Sequence, residues 1–312
     1  MRRVPDLKLA CWNVYFSHTL IGGDAGSHFV AQPDRADKVA KVIYQIDPHL
    51  LGVVECMPRS KLEFFRDTYL DAGYELLIQG DASRLNLGLL YWSPELEVTK
   101  VPFSHGSWQD QIGDDAQPVS YRFARVPLIA HVRHRSSGRE LIVAVVHPKS
   151  KKTYSTDPDA RRQEALKNRK RIVAEGRRLR AILDGLAATM GPPYDRYVVM
   201  GDINDGPGFD ATEARILRSG LETHIGSVLD PDRLLYSFVD LSDEVGIPTT
   251  PASWGAPQLD HLLYTRSLAR GAASPRVADG SGMVRSDLVD FNAGSGKDTD
   301  SDHVPVELVL EA

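Results

Sequence analysis

The sequence predicts an α/β fold in which buried β-strands alternate with amphipathic helices along a single domain, residues 1–312. Two observations carry this prediction: apolar runs of strand length, and intervening segments whose apolar residues recur at helical spacing. A third observation is that acidic and amide residues directly follow several strands, where open α/β sheets place their functional sites. No linker or internal repeat divides the chain, so we predict one domain.

The first elements illustrate the pattern. An apolar strand is predicted over Leu7–Asn13, and a helix over residues 34–46, in which Val39 and Ile43 lie one turn apart on the apolar face. Residues 50–54 form a continuous apolar run, as expected for a strand that is buried on both faces. Strand, helix and strand therefore follow one another at the start of the chain.

The same alternation continues to the C-terminus. Further strands are predicted over 74–78, 85–91, 96–103, 125–132, 141–146, 197–200, 259–264 and 304–310, and further helices over 60–70 and 160–186. Three long polar stretches, 104–120, 222–258 and 271–300, are predicted as loops. Because loops of more than about 12–15 residues are usually functional or disordered, we expect these loops to face the substrate.

Composition excludes some classes of protein. The formal net charge is −5, so the chain lacks the overall basic character of many nucleic-acid-binding proteins. No stretch approaches the roughly 18 apolar residues of a membrane span. Asp6 and Lys8 interrupt any apolar core of a signal peptide, which predicts a cytoplasmic protein. Cys11 and Cys56 lie on opposite faces of their strands, so we expect two buried thiols and no disulfide.

Six short polar motifs occur between residues 12 and 306. They are Trp12-Asn13-Val14, Val54-Glu55, His147-Pro148-Lys149-Ser150, Gly201-Asp202-Ile203-Asn204-Asp205, Leu259-Asp260-His261 and Ser301-Asp302-His303-Val304-Pro305-Val306. Each motif alone is weak evidence, because a single Asn or Asp at the end of a strand is usually a turn residue. Their joint presence and the position of several at strand ends indicate one composite site.

The residue types in these motifs suit metal-assisted phosphoester chemistry. Magnesium ions prefer oxygen ligands, usually one or two carboxylates together with water and phosphate, and Asn13, Glu55 and Asp302 can supply such a set. An imidazole beside a carboxylate can act as a general base or stabilise charge on phosphoryl oxygens. His303 with Asp260 fits this description. No spacing of histidines or cysteines supports zinc.

The order of the motifs resembles that of the endonuclease/exonuclease/phosphatase superfamily, and the resemblance covers nearly the whole chain. It implies a four-layer α/β sandwich, with two mixed β-sheets packed face to face and helices outside. It also implies Mg²⁺ as the cofactor, with Mn²⁺ as a substitute, and in-line attack of water on a phosphoester. One or two ions are both compatible with the sequence.

The resemblance also assigns roles to individual residues. It implies metal ligation by Asn13, Glu55 and Asp302; catalysis by His147, Asp202, Asn204, Asp260 and His303; and phosphate binding by Arg125 and Lys149. Within the catalytic set, Asp202 and Asn204 would orient the attacking water and hold the phosphate. Asp260 would orient His303. The neighbouring His261 is expected to be structural.

A different interpretation of the Asp202-to-Gly206 segment is a polar turn or the start of a calcium loop. An EF-hand requires a Glu about six residues after its Gly, and Thr212 occupies that position here. The sequence therefore disfavours a calcium loop of the EF-hand type.

The predicted helix over 160–186 carries nine basic residues between Arg161 and Arg180, and only two glutamates, Glu164 and Glu175, oppose them. Its basic residues are Arg161, Arg162, Lys167, Arg169, Lys170, Arg171, Arg177, Arg178 and Arg180. This stripe could contact a phosphate backbone or form a solvated outer face of the helix. We expect the solvated face for the C-terminal half, and contact with a polyanion for the part nearest residues 149–162.

These features predict a monomeric, metal-dependent nuclease or phosphodiesterase that cleaves nucleic-acid phosphodiesters. The first alternative is an enzyme that acts on a small phosphorylated molecule, because family resemblance fixes a reaction type better than a substrate. The second alternative is a non-catalytic protein that binds a phosphorylated ligand. That alternative predicts erosion of the matched positions, and none is eroded. No membrane partner is expected.

Overall fold

The computed structural model describes residues 6–15, 17–24, 26–80, 85–239, 247–251, 257–270, 275–289 and 301–311. The strands are β1 Leu7–Asn13, β2 Ile21–Gly22, β3 Phe29–Val30, β4 Leu50–Cys56, β5 Tyr74–Gln79, β6 Asn86–Trp92, β7 Leu96–Lys100, β8 Trp108–Asp110, β9 Val119–Tyr121, β10 Leu128–His134, β11 Glu140–Val146, β12 Tyr197–Asp202, β13 Leu235–Ser237, β14 Asp260–Thr265, β15 Arg276–Val277, β16 Met283–Val284 and β17 Val306–Glu311. The helices are α1 Pro33–Ile46, α2 Arg59–Tyr69, α3 Pro158–Met190, α4 Ala211–Ile216, α5 Gly220–Ile225 and α6 Arg266–Arg270, with a 3₁₀ turn at Ser17–Thr19.

Most strands belong to two mixed sheets. The seven-stranded sheet has the order β15-β17-β1-β4-β6-β5, with β16 also paired to β17. The six-stranded sheet has the order β13-β14-β12-β11-β10-β7. Each sheet has one parallel pair near its centre, β1 with β4 and β11 with β12, flanked by antiparallel neighbours. The two sheets therefore have similar central topologies.

The two sheets pack face to face and are covered by helices. The core between them is formed by side chains of β1, β4, β6, β10, β11, β12, β14 and β17, such as Leu9, Val143 and Leu308. Helices α1 and α2 cover the outer face of the seven-stranded sheet, and α3 and α5 cover that of the six-stranded sheet. These four layers confirm the predicted α/β sandwich.

The packing explains the helices. In α1, Val39, Ile43 and Ile46 are buried against the sheet, whereas Tyr44 is exposed on the outer side. Helix α3 begins at Pro158, and the side chain of Asp157 caps it by accepting from the backbone N–H of Ala160 at 2.8 Å. Proline is well suited to the first helical position, since its missing N–H would have no partner there.

The topology brings the polar ends of several strands to one edge of the sandwich. Parallel pairing aligns the end of β1 with the end of β4, and the end of β11 with the end of β12. Strand β14 begins at the same edge, because Asp260 pairs directly with Asp202. Strand β17 runs antiparallel to β1, which places the residues that precede β17 beside the end of β1.

Several predicted boundaries were wrong. The stretch 104–120 is not only loop, since β8 and β9 form an antiparallel hairpin there, and Ile112 between them packs against α3. Strand β10 begins three residues later than predicted, just after Pro127, which cannot donate a hydrogen bond to a sheet. The stretches 222–258 and 271–300 contain β13, β15 and β16. Residues 240–246, 252–256, 271–274 and 290–300 lie outside the described residues.

Two expectations about the whole chain can be compared with the described residues. Cys11 and Cys56 are buried free thiols, and they belong to different cores, one between the sheets and one beneath the outer helices. The predicted absence of a disulfide is therefore confirmed. Among the helices of the described ranges, none is both long and apolar enough to cross a membrane.

Candidate active site

The pair of His303 and Asp260 lies at the centre of the polar edge. The Nδ1 atom of His303 lies 2.7 Å from Oδ2 of Asp260, and both side chains are buried. Burial alone would lower the pKa of His303, but the nearby carboxylates of Asp260, Asp202 and Asp302 outweigh burial and raise it to about 10. The imidazole is therefore held as a cation at neutral pH, with Nε2 directed towards Asp202.

The carboxylate of Asp202 contacts residues that are carried by both sheets. Its Oδ2 atom accepts a hydrogen bond from Nδ2 of Asn13 at 3.0 Å, and lies 3.4 Å from Nε2 of His147 and 3.8 Å from Nε2 of His303. Its Oδ1 atom accepts from the backbone N–H of Asn204 at 2.8 Å. Burial raises the pKa of Asp202 to about 7, even though the charge of His303 acts in the opposite direction.

His147 follows β11 and is buried beside Asp202. Burial lowers its pKa well below the ordinary value, and the positive charges of Arg125 and His303 lower it further. The site therefore pairs a neutral imidazole with a cationic one. Among the described residues, the buried Nδ1 atom of His147 has no hydrogen-bond partner.

The three predicted metal ligands fit a hard cation in part. Two buried oxygens, Oδ1 of Asn13 and Oδ1 of Asp302, have no hydrogen-bond partner among the described residues. Burial raises the pKa of Asp302 to about 6, and the charge of Glu55 adds to this rise, so these two carboxylates repel each other. A divalent cation would satisfy the oxygens and remove the repulsion. The described residues contain no group of three or more His, Cys, Asp or Glu side chains placed to hold a metal, and the proposed set contributes only two carboxylates to such a group, with Asn13 as an amide ligand.

Two site residues adopt an unusual backbone conformation. Glu55 and Asn204 have φ angles of +55° and +56°, in the left-handed region that non-glycine residues seldom occupy. At Glu55 the pairing of β4 with β6 also shifts register between Val53 and Cys56. Strained backbone and bulges concentrate at functional sites, where they direct a side chain that regular geometry would point elsewhere.

Ser301 and Trp12 were missed as supporting residues by sequence reasoning. The hydroxyl of Ser301 donates to the backbone oxygen of Asn13 at 2.6 Å and accepts from the backbone N–H groups of His303 and Tyr15 at 3.1 and 3.2 Å. The indole Nε1 of Trp12 donates to the backbone oxygen of His303 at 2.9 Å. Both residues belong to motifs already singled out, so their neighbours in sequence were the available signal.

The structure places the two predicted phosphate-binding residues at the margin of this cluster. One guanidinium nitrogen of Arg125, Nη1, donates to the backbone oxygens of His147 and Pro148 at 3.1 and 3.0 Å. Arg125 thus supports the turn that carries His147. The Nζ atom of Lys149 donates to the backbone oxygen of Ser150 at 3.0 Å. Phosphate binding by Arg125 and Lys149 stays a prediction.

A buried ionic cluster lies behind the loop that follows Asn204. Asp205 is fully buried and forms an ion pair with Lys151. Its side chain also accepts a hydrogen bond, at 2.8 Å, from the backbone N–H of Leu221 in the first turn of α5. Its backbone oxygen lies 3.0 Å from Nε2 of His261, which fits the structural role expected for that histidine. Glu213 also pairs with Lys151. The cluster fixes the loop that carries Asn204.

The basic stripe of α3 differs from the expectation. Neither its middle, from Arg169 to Arg171, nor its C-terminal half, which includes Arg177, is a free solvated face, since side chains in both parts pair with carboxylates of this chain. The pairs are Arg169 with Asp210, Lys170 with Asp114 and Asp115, Arg171 with Glu175, and Arg177 with Asp110. Much of the positive charge is therefore neutralised within the molecule and anchors the 108–121 hairpin and α4.

Comparison with solved structures shows that the chain has an endonuclease/exonuclease/phosphatase fold. The solved structure of a humanised D. rerio TDP2 is similar at a TM-score of 0.55 and 15% identity, over 98% of this chain and 99% of that one. The human Nocturnin catalytic domain with bound sulfate gives 0.53 and 15%, over 99% and 94%. A mannosyl-6-phosphatase of Bacteroides thetaiotaomicron gives 0.53 and 15%, over 97% and 99%. No family model matches the sequence, and no curated protein matches it.

Proposed function

We propose that the protein is a Mg²⁺-dependent phosphoester hydrolase, most directly a phosphodiesterase acting on nucleic acid. The observation that carries this proposal is the pairing of His303 with Asp260 at 2.7 Å, directly beside the carboxylate of Asp202. This arrangement supplies a cationic hydrogen-bond donor and a proton acceptor within one buried cluster. Those are the two groups that attack of water on phosphorus requires.

Asn13, Glu55 and Asp302 would hold the cation, as the unpartnered oxygens of Asn13 and Asp302 suggest. When bound, the cation supplies Lewis-acid polarisation of the phosphoryl group and neutralises charge on the leaving oxygen. Mn²⁺ offers the same oxygen chemistry and would substitute for it.

The chain's own residues perform the proton transfers. Asp202, whose pKa is raised by burial to about 7, orients the attacking water and accepts its proton. His303, kept cationic by Asp260, donates from Nε2 to an equatorial phosphoryl oxygen as its negative charge grows. His147 and the amide of Asn204 bind the same phosphoryl group. The Asn204 amide is held at the site by donation to the backbone oxygen of Pro148 at 3.2 Å.

A second candidate is hydrolysis of a small phosphorylated molecule. The ion pairs along α3 favour it, because they remove much of the free positive charge that could follow a long phosphate backbone. Among the structures of similar fold, one is named a mannosyl-6-phosphatase, and another is a D. rerio TDP2 complexed with a single-strand DNA product. Both kinds of substrate are compatible with this fold.

Nicking of supercoiled plasmid and cleavage of single-stranded oligonucleotide in Mg²⁺ test the proposal, beside 4-nitrophenyl phosphate as a small ester. Controls are a chelator and the His303→Ala protein, which should lose at least about 10²–10³ in rate. Chelator-sensitive cleavage of nucleic acid that disappears in His303→Ala supports the first candidate. Activity on the small ester alone supports the second. No metal-dependent hydrolysis of any of these esters would contradict both.

A further inference from the structure

Tyr154 is a solvent-exposed aromatic residue, seven positions after the active-site residue His147. It is 72% exposed, more than the exposed Phe29, Tyr44 or Phe209. It lies in residues 149–157, which connect His147 at the end of β11 to the start of α3. We call this segment the platform loop. An isolated exposed aromatic residue is ordinary on a protein surface, so the case for a function depends on its surroundings.

The first of these surroundings is Lys152. Its Nζ atom lies 5.6 Å from the centroid of the Tyr154 ring, within the range of a cation–π contact. An exposed ring with an ammonium group beside it combines two features of single-strand nucleic-acid sites, a stacking surface and a positive charge for the backbone. Lys152 is itself exposed.

The second is the anchoring of the loop backbone. Glu164 of α3 accepts hydrogen bonds from the backbone N–H groups of Tyr154 and Ser155 at 2.9 and 3.1 Å. The buried Asn168 donates to the backbone oxygen of Lys152 at 2.9 Å. Arg169 donates to the backbone oxygen of Lys151 at 2.9 Å. Helix α3 thus fixes the loop in place, which lowers the entropic cost of binding a ligand on it.

The third is proximity to the catalytic cluster. Five residues lie between Pro148 and Tyr154, so the Cα atom of Tyr154 lies within roughly 22 Å of that of Pro148 even if the chain were fully extended. Along α3, the anchor at Glu164 and the contact of Glu175 with the Ala124 backbone are eleven residues apart, or about 16 Å. Arg125, next to Ala124, contacts the turn at His147. A short oligonucleotide spans such a distance.

We propose that the platform loop binds a base of a single-stranded nucleic acid, with Tyr154 as the stacking surface and Lys152 as the contact to a flanking phosphate. The proposal rests on the proposed function only for the position of the scissile phosphate. It makes the substrate a single strand whose bases are free to stack, and it agrees with the ion pairs of Arg169, Lys170 and Arg177, which leave less free charge along α3 to follow a duplex.

The experiment measures binding rather than cleavage, so that a failure of catalysis does not obscure it. The affinity of the His303→Ala protein in Mg²⁺ is measured by fluorescence anisotropy for a labelled single-stranded oligothymidylate, and for an abasic strand with the same number of phosphates. Each affinity is measured again after Tyr154→Ala, Tyr154→Phe or Lys152→Gln is added singly to the His303→Ala protein. The matched control is Tyr44→Ala, which removes an exposed tyrosine from the outer side of α1.

The expected result is tighter binding of the base-containing strand by about tenfold, which is lost in Tyr154→Ala and retained in Tyr154→Phe and Tyr44→Ala. Lys152→Gln should lower the affinity for both strands and reduce the salt dependence of binding. Equal affinity for both strands, an unchanged affinity in Tyr154→Ala, or absence of binding would overturn the proposal. Stacking on Tyr154 in this assay, together with a wild-type protein that hydrolyses none of the tested esters, would instead overturn the proposed function alone.

Discussion

His303 shows how burial and charge oppose each other at one residue. Removal from water favours the neutral imidazole, yet three neighbouring carboxylates reverse this preference and leave a cation in the interior. Asp260 is the closest of these carboxylates, and its Oδ2 atom accepts a hydrogen bond from the Nδ1–H group of the charged imidazole. The role of Asp260 is therefore to orient His303 and to keep it charged.

Replacing Asp260 with Asn tests this role. The substitution removes one negative charge at the same volume, so the pKa of His303 should fall from about 10 towards its ordinary value. The proposed hydrolysis should slow by about 10²–10⁴. NMR titration of the His303 imidazole in metal-free protein and rate measurements check the two effects. An unchanged pKa in Asp260→Asn would contradict the assignment.

Glu175 provides a separate test of how burial affects a charge. Burial raises its pKa to about 7, although Arg171 acts in the opposite direction. Because the pKa is higher in the folded protein, Glu175 contributes stability that is fully present below pH 4.5 and is lost as pH rises through 7. The contribution is about 3 kcal/mol.

Glu175→Gln should abolish this loss. Urea unfolding of both proteins at a series of pH values is expected to show the variant gaining relative stability between pH 4.5 and 7, by up to about 3 kcal/mol. Parallel stability profiles for the two proteins would show that Glu175 is not perturbed as described.

Sequence reasoning identified the polar site residues but not the contacts that hold them. Asn13, Asp202, Asp260 and His303 converge as predicted, because their motifs end or precede neighbouring strands. The hydroxyl of Ser301 and its backbone contacts were not predictable. Such hydrogen bonds depend on the loop conformation, which no periodic pattern of apolar residues specifies.

At the scale of elements, β12 depends on the glycine that precedes Asp202. Gly201 has a φ of +150°, and a Cβ added there would lie 2.0 Å from the backbone oxygen of Val146 in the neighbouring β11. An alanine side chain cannot fit without separating two strands that both carry catalytic residues. Glycine at this position is therefore required by packing as well as by conformation.

Gly201→Ala should consequently lower the free energy of unfolding by at least about 2 kcal/mol. The matched control is Gly185→Ala on α3, where an added Cβ would meet no atom within 4 Å and where alanine should stabilise the helix by about 1 kcal/mol. Denaturant unfolding measures both changes. Equal effects of the two substitutions would contradict the packing argument.

Helix α3 shows where a pattern of charge is ambiguous. The sequence displays its basic residues but not the carboxylates that lie beside them in the fold. Asp110 and Asp115 come from the 108–121 hairpin. The sequence did not predict this hairpin, because its strands are short and polar. Long-range ion pairs of this kind follow from tertiary structure, so the sequence alone could not tell a ligand-binding stripe from an internal one.

For the whole molecule, the layered architecture was predictable because the spacing of apolar residues differs clearly between strands and helices. The edge strands β13, β15 and β16 were not, since each has only two or three residues and little apolar pattern. The convergence of both sheets at one polar edge depends on register, which no local pattern in the sequence specifies.

Removal of metal should affect the whole fold through Glu55 and Asp302. The two carboxylates repel each other in the metal-free protein. At a Mg²⁺ concentration of 100 times its dissociation constant, the ion should raise the free energy of unfolding by about 2.7 kcal/mol and raise the melting temperature accordingly. Asp302→Asn should be more stable than the wild type in chelator, yet fail to respond to Mg²⁺. A Mg²⁺ response that is unchanged in this variant would contradict the proposed ligand set.

The central claim is that residues from the two sheets act as one catalytic unit, and a double-mutant cycle tests it most directly. Hydrolysis rates are measured for wild type, Asp202→Asn from the six-stranded sheet, His303→Ala from the loop before β17, and the double variant. Residues that act together show strongly non-additive losses. We predict that the double variant is no slower than the slower single variant. Losses that multiply would show two independent contributions and contradict the account.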